Sequence, residues 1–140
     1  MVGREVPGPG TKARIIHGVM LAATMAVPTI LATVRIMAGS TGTEQSARIL
    51  AVIALAAAGL TVVVSLILRG RLRSQPASAG RDAWWTANLG TAVALWSLAE
   101  GAGLLAGVAY FLTGNLPATL LAFAIAILVL LMHAPGRLGE

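Results

Sequence analysis

The sequence contains no cysteine. Disulfides, thiolate metal sites, covalent c-type haem attachment and cysteine nucleophiles are therefore excluded. Acids are scarce as well, with five Asp and Glu against ten Lys and Arg, and charged residues make up only 11% of the chain. Aromatic residues are 4%. With no basic helix face and no interleaved aromatics, the net charge of +5 does not describe a nucleic-acid surface. It describes a chain whose acids are missing because most of its length lies in lipid, with its cations gathered in loops.

What is present is apolar. Of 140 residues, 57% are hydrophobic, and the mean hydropathy is +0.85. A soluble domain this small has too much surface for its volume to hide such a composition. The expected fold is all-α: a bundle of four transmembrane helices, with lipid as the apolar solvent.

The spans read as about 15–37, 48–68, 84–112 and 116–132. Residues 1–14, with three Gly, two Pro, Arg4, Lys12 and Arg14, read as a flexible basic arm. The apolar run behind it is longer than a signal-peptide core and about long enough to cross a bilayer. Pro28 lies inside the first span and must free the Thr24 carbonyl, so a kink is expected there. Thr41 and Glu44 have capping-box spacing ahead of the second span. Trp84 and Trp85 stand where an interfacial aromatic belt would begin the third. Pro117 suits the first turn of the fourth, and residues 136–140 form a short tail. Ala54 and Ala58, and the series Ala99, Gly103 and Gly107, have the small-residue spacing that lets helices pack closely in lipid. Lys and Arg near the spans number three in the arm, four in residues 69–82 and one in the tail (Arg137), against Arg35 and Arg48 on the other side. That bias places both termini in the cytoplasm.

Glu100 is the one acid deep inside a span. It lies sixteen residues past Trp84, roughly 24 Å along a helix, near mid-membrane or somewhat beyond. An ionised carboxylate there costs about 2.5 kcal/mol or more, so it is protonated or paired. Two roles follow: an ion-binding carboxyl in a proton or cation path, or a structural carboxyl held by a hydrogen bond or ion pair. Arg35, roughly 30 Å along the first helix from Ile15, is the possible ion-pair partner, with a side chain long enough to reach inward or to snorkel outward.

The stretch LAEGAGLLAGVAYFLTG, with Glu100 followed by Ala and Gly, resembles the glutamate helix of the ATP-synthase proteolipid, subunit c. Arg73 to Pro76 (RSQP) is similar to the polar loop of that hairpin. The resemblance covers spans two and three and implies Glu100 as an ion site. Span two lacks the repeated Gly-x-Gly of proteolipid rings, and two further helices are present. Over most of its length the chain resembles small uncharacterised four-helix bacterial membrane proteins. It shares with them an opening RII segment (Arg14–Ile16), an LxE…FLTG third span (Leu98–Gly114) and an LLMHAP-like end (Leu130–Pro135). That resemblance implies a multi-pass protein of the bacterial inner (plasma) membrane but no particular activity.

Other chemistry finds little support. His17 and His133 fall at one depth on different helices, as haem ligands do in b-type cytochromes. Such ligands usually lie deeper, however, and His is tolerated at an interface. Two His and a distant Glu are too few for a metal site. PGPG at residues 7–10 lacks the Lys and Ser/Thr of a phosphate loop, and no Ser has a base and an orienting acid nearby. Small multidrug exporters also embed a Glu among four helices, but in their first span, where this chain has none. The expectation is therefore a non-catalytic membrane protein without cofactor or metal. It would serve as a structural or accessory subunit, packing against itself or other membrane subunits. The alternative is a proteolipid-like subunit that handles protons or cations at Glu100.

Overall fold

The computed structural model describes residues 7–39, 43–72 and 80–138. They form five helices: α1 (Pro9–Ala38), α2 (Glu44–Arg71), α3 (Arg81–Thr113), α4 (Leu116–Met132) and a single-turn α5 (Pro135–Leu138). No strand occurs among the described residues. α1, α2 and α3 are long and apolar enough to cross a membrane, and α4 is apolar but has only 17 residues.

Helix ends follow local chemistry more than hydropathy. α1 starts at Pro9, whose fixed φ is already helical. Lys12 and Arg14 thus ride on its first turns, so residues 9–14, expected in a flexible arm, are helical. Gly8 and Gly10 bring the start of α1 against α3: an added Cβ would lie 3.2 Å from Asp82 Oδ2 and 3.2 Å from Trp85 Cδ1, respectively. α2 is capped by Thr43, whose hydroxyl accepts from the Ser46 N–H. Thr41, half of the expected capping box, lies outside the described residues, as does the RSQP segment. Asn115 caps α4, with Pro117 in its first turn. α1 remains helical through Pro28.

α3 is the centre of the bundle. It packs against α1, α2 and α4, α2 also packs on α4, and α1 scarcely touches α4. Two cores result. One, at the middle of α2, is built of Ala54, Ala58, Ala106, Ala109 and Ala122. The other gathers Trp84, Trp85, Leu95, Trp96, Leu130 and Leu138. The tryptophan pair is buried here, with ring centroids 4.8 Å apart. It packs inside the protein and does not form the lipid-facing belt expected from sequence, because α1 and α5 cover it.

α1 and α3 run parallel in one register. His17 meets Trp96, Thr24 meets Gly103, Pro28 meets Gly107 and Arg35 meets Gly114. The offset is 79 residues at each contact, and the outermost contacts are eighteen residues apart on both helices. Eighteen residues is about five turns of 3.6, so the same faces stay apposed along the whole seam.

Candidate functional site

The last carbonyls of a helix have no partner within it, and lipid offers them none. α4 solves this with side chains from other helices. The His17 ring on α1 donates through Nε2 to the Leu130 carbonyl at 3.0 Å. Trp96 Nε1 on α3 donates to the His133 carbonyl at 2.7 Å. The His133 ring donates through Nδ1 to the Val129 carbonyl at 2.8 Å. The His17 and Trp96 rings meet edge-on, with centroids 5.1 Å apart. His133 is 2% exposed and Trp96 fully buried. Both histidines are therefore buried inside the bundle. Each commits one ring nitrogen to a helix end, so ligation of a haem through the His17 Nε2 would break a cap. His133 Nε2 is buried without a hydrogen-bond partner among the described residues.

Arg35 does the same at the other end of α1. It is 8% exposed, and its Nη1 donates to the Phe111 carbonyl at 3.1 Å, in the last turn of α3. A cation there also meets the negative end of the helix dipole. Gly114, with φ 70°, closes α3, and a Cβ on it would lie 2.8 Å from Arg35 Nη2. The expected Arg35–Glu100 pair is not formed. Phe111 is eleven residues beyond Glu100, roughly 16 Å along the helix, which is beyond the reach of a guanidinium held at that carbonyl. Among the described residues the ion pair present is Arg48–Glu44, on the exposed first turn of α2.

Glu100 is half-buried and has no hydrogen bond or ion pair among the described residues. It stands at the border of the α1–α3 seam. Trp96, Gly103 and Gly107 on one side of it are buried, while Ser97 and Gly101 on the other are exposed. The register of α1 on α3 gives its position along the bundle. The shared register sets Arg14 level with Val93 and Arg35 level with Gly114. Arg14 and Arg35 are 21 residues apart, about 31 Å, close to the thickness of a hydrocarbon core. On that scale Glu100 lies about 10 Å from the Arg14 level and about 5 Å short of the midpoint between the two arginines.

The small residues fall on two different interfaces. Ala54 and Ala58 are fully buried in the alanine core, and Ala99 is fully buried in the tryptophan core. Gly103 and Gly107 face α1, where an added Cβ would lie 2.5 Å from Thr24 Cγ2 and 2.8 Å from the Pro28 ring. Beside Pro28, α1 and α4 splay apart over α3 and leave a cleft of about 400 Å³, with Thr29, Ala106, Tyr110 and Thr119 among its lining. Sequence reasoning passed over this cleft because its lining is apolar and comes from three helices. No group of three or more His, Asp or Glu converges among the described residues.

No protein-family model, curated protein or solved structure matches the chain. Functional argument therefore rests on the geometry.

Proposed function

We propose that the chain is a non-catalytic, four-helix protein of the bacterial inner membrane with both termini in the cytoplasm. In this reading it assembles with itself or with other membrane subunits through the open side of α3. One observation carries the proposal: among the described residues Glu100 is a carboxyl that the bundle gives no hydrogen bond or ion pair. His17, His133, Trp96 and Arg35 all bond helix ends, whereas Glu100 borders an exposed strip of Gly90, Ala94, Ser97 and Gly101. A carboxyl in lipid is costly alone and is relieved by a donor from a neighbouring chain. Small residues beside it allow that chain to approach closely.

The same exposure favours a second reading, in which Glu100 takes up a proton or cation from the membrane-facing side. Substitution of Glu100 by Gln and by Leu separates the two. Gln keeps a hydrogen-bonding amide but cannot ionise, and Leu keeps neither property. If Glu100 holds a partner, cross-linking in native membranes shows assembly in wild type and Glu100→Gln and its loss in Glu100→Leu, with no change in ion flux. If Glu100 carries an ion, Glu100→Gln abolishes flux from reconstituted vesicles and blocks carbodiimide labelling while leaving assembly intact. A chain that is monomeric in membranes, with neither property altered by the substitutions, overturns both readings.

A further inference from the structure

The cleft between α1 and α4 runs from Pro28 to Ile36 on one wall and from Phe123 to Leu116 on the other, with α3 as its floor. The walls barely contact each other, so the cleft opens sideways, where a membrane-embedded chain meets lipid tails. It occupies only the half of the bundle remote from the termini. Arg35 does not line the cleft but lies just beyond its far end: it adjoins Ile36 in sequence, and its guanidinium lies against Gly114, two residues before Leu116. This cation is 8% exposed and faces no carboxylate among the described residues. A guanidinium has five N–H donors, and one is used on the Phe111 carbonyl.

We infer that the cleft is a binding site for one anionic phospholipid, its phosphate on Arg35 and an acyl chain lying between α1 and α4. The polarity runs the right way for this ligand. The charge is at the membrane-surface level, and the apolar slot descends from it toward the membrane centre. Pro28 and Gly107 set the depth of the slot, because the ring packs directly on the glycine backbone. A guanidinium also suits phosphate oxygens, which accept its planar array of donors. The inference rests on the membrane reading and does not depend on Glu100.

The test is native mass spectrometry of the full chain, reconstituted with equal amounts of phosphatidylglycerol and phosphatidylcholine of identical chains and extracted in mild detergent. Wild type retains one phosphatidylglycerol per chain, favoured about tenfold over phosphatidylcholine. Leu120→Trp, on the exposed rim, and Ala32→Phe fill the slot and abolish retention of both lipids. Arg35→Gln equalises the two lipids, and Arg35→Lys keeps part of the preference. A thermal melt of each variant shows that loss of lipid is not loss of fold, and Leu120→Trp, which disturbs no packed residue, serves if Ala32→Phe unfolds. Absence of retained lipid in wild type overturns the inference, as does equal retention of the two lipids. It is also overturned by a Leu120→Trp variant that binds as wild type does, or by a lipid-free dimer that Leu120→Trp dissociates.

Discussion

At the residue scale, Gly103 has the least room for a side chain of the described glycines, because it lies against Thr24. A methyl added at Gly103 would stand 2.5 Å from Thr24 Cγ2, well inside van der Waals contact. Gly103→Ala is expected to lower stability by about 1–3 kcal/mol, the usual range for overpacking. Thr24→Ser removes the obstructing methyl and keeps the hydroxyl that donates to the Met20 carbonyl, so the double variant should recover most of the loss. Thermal melts in one detergent check both statements, and an unrecovered double variant would show that the clash lies elsewhere. Gly107→Ala should cost more and resist such rescue. Its obstacle is the Pro28 ring together with the Pro28 Cα at 3.0 Å, and neither can rotate away. The sequence marks both glycines as close-packing positions, but not which helix lies against them. That choice required the register of α1 on α3.

At the element scale, helix ends decide where polar side chains go. α1 acts as a strut with a donor near each end: His17 serves α4, and Arg35 serves α3. Trp96→Phe keeps most of the ring volume but deprives the His133 carbonyl of its donor. A loss of about 1–3 kcal/mol is expected, the desolvation cost of an unpaired buried group. Faster hydrogen exchange should appear in the last turn of α4 and in α5. Exchange unchanged there would mean that another donor replaces the indole. Arg35 and Glu100 offer a second check. They belong to separate sites, so a double-mutant cycle of Arg35→Met and Glu100→Gln should give a coupling below about 0.5 kcal/mol. A larger coupling would restore the ion pair that the geometry rules out. Helix existence was legible from apolar run length in all four long helices. Their ends were not, because Pro9 and Thr43 start helices by backbone and capping chemistry that hydropathy does not register.

At the scale of the whole molecule, α3 is enclosed by the other three long helices except along one strip. Gly101 lies on that strip, and nothing is within 4 Å of a Cβ built there. Gly101→Ile should therefore leave the bundle's own melt nearly unchanged, since the side chain meets no packed neighbour. If the open face of α3 is an assembly surface, the same substitution weakens assembly, which size-exclusion chromatography or cross-linking in membranes would register. A large drop in melting temperature without any change in assembly would contradict the assignment of this face. Among the described residues, α1, α2 and α3 meet the length for a full crossing. α4, about 26 Å long by its rise per residue, ends where the His17 and Trp96 donors take over its carbonyls.

The sequence by itself determined the class of this protein. Long apolar runs with few charges can be hidden only by lipid, and in lipid the backbone must satisfy itself as helix. It also marked Glu100 as anomalous, since a lone acid in an apolar run is visible without coordinates. The tertiary structure decided what the polar residues touch. The partners of His17, Trp96 and Arg35 are backbone carbonyls on other helices, and a carbonyl leaves no signature in a list of side chains. It also decided the presence of the lateral cleft, which depends on how helices distant in sequence pack and how far each extends past another.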